Sequence, residues 1–187
     1  MSPYDFVHLC LLAMGGEIKG KTKLQKTAYF LGLLSNMIDD LGYRAHFYGP
    51  YSADVAGAAN RVRALGFATQ TVSGIGTVDS AGFEVARYDL RLTEEGTRMA
   101  KVKAANNPNE WEKLKQAAEV LKRADEHDYM KLSIAAKVYF MLGRQKQATR
   151  IEDLVAVAQK FRWSVTPGQV REAAKFLESL GLVTFVK

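Results

Sequence analysis

Two stretches of this chain break in the same way. Val62-Arg63-Ala64-Leu65-Gly66-Phe67-Ala68-Thr69 and Leu177-Glu178-Ser179-Leu180-Gly181-Leu182-Val183-Thr184 each run from an apolar helical stripe through a Leu-Gly stop into a strand-like run. Glycine just past a helix end is the usual stop, because it takes left-handed backbone at little cost. A third helix that stops on glycine and turns directly into a strand is the junction before the wing of a winged helix-turn-helix. The repeat therefore predicts two such units.

The flanking segments fit. Tyr4–Met14 reads as a first helix ended by Gly15-Gly16, and Glu17-Ile18-Lys19 as a short edge strand. From Lys21, apolar or small residues at Leu24, Ala28, Leu31, Ser35 and Ile38 keep helical spacing, with an end expected near Asp39–Gly42. Ser52 is an N-cap before a helix whose buried stripe is Val55, Ala59, Val62 and Leu65. Phe67–Ser73 and Phe83–Leu92 read as wing strands around a glycine-rich loop, Gly74–Gly82, with a bulge near Ala86; Thr93 caps another helix. Asn106-Asn107-Pro108-Asn109 is the clearest boundary. Beyond it Trp111, Leu114, Ala118 and Leu121 form an amphipathic stripe, suited to the core or to pairing with a second copy. Leu132–Leu142, Ile151–Phe161 and a helix opened by Thr166-Pro167, with stripe Val170, Ala173 or Ala174, Leu177 and Leu180, then precede a strand at Leu182–Val186. The expected architecture is mainly α with small β wings (α+β), as tandem winged helix-turn-helix domains. They are a winged-helix domain at 1–105, a connecting helix at 106–130 and a second winged-helix domain at 131–187.

The single cysteine, Cys10, lies in an apolar run and has no intrachain partner, which fits a buried thiol in a reducing compartment. No run reaches the length that spans a bilayer, and the N-terminal apolar run lacks the basic lead-in of a signal peptide. The expected location is the cytoplasm, without membrane contact.

Net charge is +6, and its distribution is local. Lys19, Lys21, Lys23 and Lys26 fall in one acid-free segment; Lys137, Arg144, Lys146 and Arg150 fall in another. Such clusters suit an anionic partner or a solvated helix face. Arg61 and Arg63 lie on the third helix of the first unit. In the second unit, Gln169, Arg171 and Lys175 sit on the third helix with chemistry suited to bases and phosphates. These are the candidate DNA contacts. Tyr29, Phe30, Tyr48 and Tyr51 are candidates for a protein partner's surface or for core.

Gly15-Gly16-Glu17-Ile18-Lys19-Gly20-Lys21-Thr22 matches the phosphate-binding loop pattern letter for letter, with Lys21 and Thr22 in the phosphate and magnesium roles. No set of buried parallel strands accompanies it, and Glu17 and Ile18 lie where the loop would wrap polyphosphate. His8, His46 and His127 lack metal-ligand spacing, His8 reading as a core or boundary residue. Asp39-Asp40 and Glu94-Glu95 are adjacent, so on a helix their carboxylates diverge. No catalytic residue, cofactor or metal is expected.

Lys23-Leu24-Gln25-Lys26, Tyr29-Phe30, Phe47-Tyr48-Gly49-Pro50-Tyr51-Ser52 and Leu90-Arg91-Leu92-Thr93-Glu94-Glu95-Gly96 resemble the YwgA-like bacterial proteins. They are similar, more distantly, to the Panacea (SocA-like) antitoxin domain. The resemblance covers residues 5–100 and implies a helical, non-catalytic domain that, in the antitoxin relatives, neutralises a partner protein. The expected function is DNA binding, as a transcriptional regulator or the antitoxin-like component of a defence module, with a toxin or defence effector as protein partner and a homodimer as the assembly. The alternatives are a protein-interaction adaptor that does not touch DNA, and nucleotide binding through Gly15–Thr22.

Overall fold

The computed structural model describes residues 1–73, 86–124, 128–145 and 147–185. The chain is mainly helical with one small antiparallel sheet. Helix α1 (Pro3–Ala13) opens under a Ser2 cap, whose hydroxyl accepts the Asp5 N–H at 3.1 Å. Phe6, Val7, Leu9, Cys10 and Leu11 are all buried, so α1 is apolar on nearly every side and lies inside the molecule. Gly15 and Gly16, both at positive φ, turn the chain into β1 (Glu17–Lys19).

Helix α2 (Lys21–Leu34) stops earlier than its apolar spacing predicts. Asn36 adopts φ 59°, and the Met37 N–H folds back onto the Gly32 carbonyl at 2.8 Å. Asparagine is one of the few side-chain-bearing residues that take left-handed backbone readily, so it can end a helix where the stripe continues. Ile38, expected on the helix, begins a short 3-10 turn, Ile38–Leu41.

Helix α3 (Ala53–Ala64) starts under Ser52, as expected: the Ser52 hydroxyl accepts the Val55 N–H at 2.9 Å. Its buried face is Val55, Ala58 and Val62. Leu65, expected in that stripe, is 53% exposed because it caps the helix beyond the last packed turn. Gly66 (φ 76°) then leads into β2 (Ala68–Ser73). Strand β3 (Arg87–Leu92) pairs antiparallel with both others, Ile18 and Gln70 each facing Leu90, which gives the order β1-β3-β2. The glycine-rich loop Gly74–Gly82 and the start of the expected strand at Phe83 lie outside the described residues; Ala86 precedes the strand.

Thr93 caps α4 (Glu94–Asn106) by accepting the Gly96 N–H at 2.9 Å and donates to the Gly66 carbonyl, also at 2.9 Å. A Cβ at Gly96 would sit 1.8 Å from the Phe67 carbonyl oxygen. Only glycine lets α4 lie this close to the α3–β2 junction. After Asn107 the chain re-enters a helix, α5 (Pro108–Arg123), which buries Leu114, Ala117, Ala118 and Leu121 against α1, α2 and α4. That apolar stripe is spent within the chain.

Helix α6 (Tyr129–Leu142) lies against α2 on one side and α7 (Ile151–Lys160) and α8 (Pro167–Ser179) on the other. Helix α8 buries Val170, Ala173 and Leu177, and Leu180 just beyond its end, as the spacing predicts. The strand expected at Leu182–Val186 does not form over residues 182–185, and Val186 lies outside the described residues. A strand exists only by pairing, and no described strand lies in the 131–187 segment. One continuous core runs from Phe6 through Phe30 and Ala136 to Leu177.

Candidate functional site

The Lys-Leu-Gln-Lys segment of α2 and the Gly-Pro-Tyr-Ser turn meet. The Gln25 amide nitrogen donates to the Ser52 carbonyl at 2.9 Å, and its oxygen accepts the Ser52 N–H at 3.0 Å. The Lys26 ammonium donates to the Pro50 carbonyl at 2.7 Å. The Tyr43 hydroxyl donates to the Gln25 carbonyl at 2.7 Å, and Arg44 and Tyr51 pair their backbones across the base of the loop. Three buried side-chain bonds thus fix the start of α3 on α2. Gly49 takes φ 99°, and a Cβ there would stand 3.0 Å from Lys137 Cγ.

Lys26 is 2% exposed, and among the described residues no carboxylate pairs with it. Burial, reinforced by the neighbouring charge of Lys137, pushes its ammonium pKa down to about 8. Lys137 is itself pushed down by burial. Beside this pair opens a cleft of about 300 Å³ between α2, α3, the 43–51 loop and the sheet. Lys21 and Lys26 contribute its cations and Gln25, Asn60 and Gln70 its amides, and no acid lines it among the described residues. Lys21 sits at the first position of α2 with its ammonium 3.9 Å from the Tyr88 ring centre.

The expected DNA contacts scatter. Lys26 was expected to face a partner, yet it is buried, because the Pro50 carbonyl and the turn cover it. Gln169, expected to read bases, folds its side chain back: its oxygen accepts the Thr166 N–H at 2.9 Å and completes a capping box. Arg144 lies flat over Phe140, 3.6 Å from the ring centre, and donates to the Phe140 carbonyl. Arg61 lies 4.9 Å over the Tyr4 ring. Lys23 is half-buried near the start of α2, while Lys21, Arg63 and Arg150 are exposed. Arg171 and Lys175 are exposed one turn apart on α8. Lys146 and His127 lie outside the described residues.

Of the aromatics expected to meet a partner, Tyr29 and Phe30 are core. Tyr29 packs edge-on against Tyr43 and Tyr139, and Phe30 against Phe176. Helix α6 and helix α8 cover the face of α2 that carries them. Tyr51 is half-buried at the cleft, beside His46, whereas Tyr48 is 73% exposed and its neighbour Phe47 68%. Gln70 and Tyr88 were not singled out as site residues from sequence, and Lys137 was read only as one of a basic cluster. Only Tyr88 had a usable signal: strand alternation places it on the face of Leu90.

Residues Gly15–Thr22 form no phosphate cradle. Glu17, Ile18 and Lys19 pair with Arg91, Leu90 and Asp89 as a strand, and the Gly16 carbonyl accepts the Leu92 N–H. His8 is fully buried, its Nε2 within 2.8 Å of the Gly96 carbonyl and its ring stacked on Phe67. Burial lowers its pKa and raises that of Cys10. Among the described residues no three His, Cys, Asp or Glu gather as metal ligands, and no helix is long and apolar enough to cross a membrane.

In comparisons with known proteins, no family model matches the chain and no curated protein matches it.

Proposed function

We propose that the chain is a non-catalytic winged-helix DNA-binding protein, acting as a transcriptional regulator or as the antitoxin-like component of a defence module. The observation that carries the reading is the element order α1-β1-α2-α3-β2-β3 with strand order β1-β3-β2. That is the connectivity of a winged helix. In the 131–187 segment α7 and α8 follow one another, which this reading takes as a second helix-turn-helix, and Arg171 and Lys175 are exposed on α8. Arg63 and Lys21 add positive charge on the first unit. Phosphate contacts from such side chains supply affinity in proportion to the counterions they release. The resemblance of residues 5–100 to YwgA-like and Panacea domains fits the antitoxin form of this reading.

The test is a titration of labelled, mixed-sequence duplex DNA at two salt concentrations, wild type beside Arg171→Ala/Lys175→Ala. The expected result is affinity that falls with salt and a double variant at least about tenfold weaker with a shallower salt slope. Equal binding by both proteins, or none at low salt, sinks the reading.

A second reading is an adaptor that engages a partner protein. It is favoured by the Phe47-Tyr48 tip, two large aromatic side chains exposed side by side. Its binding would be nearly insensitive to salt and lost in Phe47→Ser/Tyr48→Ser.

A further inference from the structure

The cleft under the Gly-Pro turn has the chemistry of a ligand site, and this stands whether or not the chain binds DNA. Among the described residues its cations are Lys21 and Lys26, and no carboxylate lines it. A lysine as buried as Lys26 ordinarily has an anion beside it. Here one carbonyl, that of Pro50, takes a single proton of the three the ammonium offers, and the charge of a second lysine, Lys137, acts on it unfavourably. The site is electrostatically unfinished, and an anion entering the cleft would complete it.

The second independent feature is at the mouth. Helix α2 begins there, and its N-cap, Gly20, has no side chain with which to cap the first turn. The partial positive charge of that helix end adds to the ammonium of Lys21. Lys21 now rests on the face of Tyr88 and would exchange that ring for a true anion. The rest of the lining suits a flat ring. Tyr51, His46 and Tyr88 offer faces for stacking, and Gln70 and Asn60 offer amides to its edge. A volume of about 300 Å³ is at the small end of ligand pockets, matching one ring system with one anionic group.

We propose that this cleft binds a planar organic anion of mononucleotide size, with its phosphate or carboxylate between Lys21 and Lys26 and its ring against Tyr88 and Tyr51.

Thermal-shift and calorimetric titrations of the full chain would use adenosine monophosphate, 4-hydroxybenzoate, adenosine and inorganic phosphate as probes. Adenosine monophosphate or 4-hydroxybenzoate is expected to raise the melting temperature, and which of them does so separates a phosphate-bearing from a carboxylate-bearing ring. Adenosine, with the ring but no charge, and phosphate, with the charge but no ring, should each bind at least tenfold more weakly. Lys21→Ala and Tyr88→Leu, both at the cleft mouth and outside the deep core, should each weaken binding at least tenfold without lowering the melting temperature of the free protein by more than a few degrees. No shift with either ring-bearing anion at millimolar concentration overturns the proposal. So does binding that survives in Lys21→Ala, or adenosine binding as tightly as its monophosphate. Failure of DNA to bind would leave all these outcomes unchanged, so the two readings fall separately.

Discussion

Gln25 holds Ser52 by both of its backbone groups, accepting the N–H at 3.0 Å and donating to the carbonyl at 2.9 Å, with every atom of the exchange buried. Ser52 in turn caps α3 and donates its hydroxyl to the Leu41 carbonyl. One glutamine therefore sets where α3 begins. Gln25→Ala strands the buried Ser52 N–H and leaves its carbonyl with the Ala56 N–H alone, at 3.2 Å, and is expected to cost about 1–3 kcal/mol in denaturant unfolding. Gln25→Glu keeps the acceptor but aims a carboxylate at the Ser52 carbonyl, so it should not rescue the loss. Wild-type stability in either variant would show that the turn does not depend on this exchange.

Lys26 makes a pH prediction whose sign is fixed. Its ordinary pKa of 10.5 is pushed down to about 8 in the folded chain, by burial first and by Lys137 second. Below pH 8 both folded and unfolded chains carry the proton, and the cost of burying it is fully present. Between about 8 and 10.5 the unfolded chain holds the proton more tightly, so stability rises with pH. The stability of the wild type relative to Lys26→Met should climb by about 3 kcal/mol across that window. Cys10, Tyr29 and Tyr43, whose pKa values burial raises, act in the opposite direction and cancel in the difference. A difference curve flat from neutral pH upward would mean that Lys26 is hydrated in solution.

Gly96 has no room for a side chain. Its Cβ would fall 1.8 Å from the Phe67 carbonyl oxygen, an atom of the backbone that no rotamer change can move. Gly96→Ala is expected to destabilise by at least about 3 kcal/mol and to break the His8–Gly96 contact with it. Gly57, where an added Cβ meets nothing within 4 Å, is the control: Gly57→Ala lies inside α3 and should gain up to about 1 kcal/mol. Chemical denaturation of the two variants side by side decides the matter.

Trp163 ties the C-terminal segment to the cleft loop: its indole N–H donates to the His46 carbonyl at 2.7 Å, and its ring stacks on Phe161. Trp163→Phe keeps the stacking and loses the hydrogen bond. The expected cost is about 1 kcal/mol, together with faster tryptic cleavage after Arg44 in the loop. Unchanged cleavage would show that the loop is held without the Trp163 bond, by Gln25, Lys26 and the Arg44–Tyr51 backbone pair.

Local chemistry was legible in the sequence, and pairing at a distance was not. Ser52, Thr93 and Thr166-Pro167 announced α3, α4 and α8 because a cap acts over three residues. The stripe of α8 was legible for the same reason. The end of α2 was missed because apolar spacing runs on to Ile38 while a single left-handed Asn36 breaks the helix. Lys26 read as a surface charge because nothing near it in sequence reveals that Pro50 will cover it. Tyr29 and Phe30 were ambiguous until α6 and α8 supplied Tyr139 and Phe176. The C-terminal strand failed for the complementary reason: strand-like residues need a partner, and that segment offers none among the described residues.

The contact between Phe30 and Phe176 also constrains how the molecule is made. Residues 1–124 can leave the ribosome and bring Tyr43 onto Tyr29, but Tyr139 and Phe176 join Tyr29 and Phe30 only once α6 and α8 are synthesised. During translation the nascent chain therefore carries an aromatic surface that is only partly covered. The core around Phe30 closes only after α8 is free of the exit tunnel, and a truncation before Phe176 is expected to leave that surface open to chaperones and proteases.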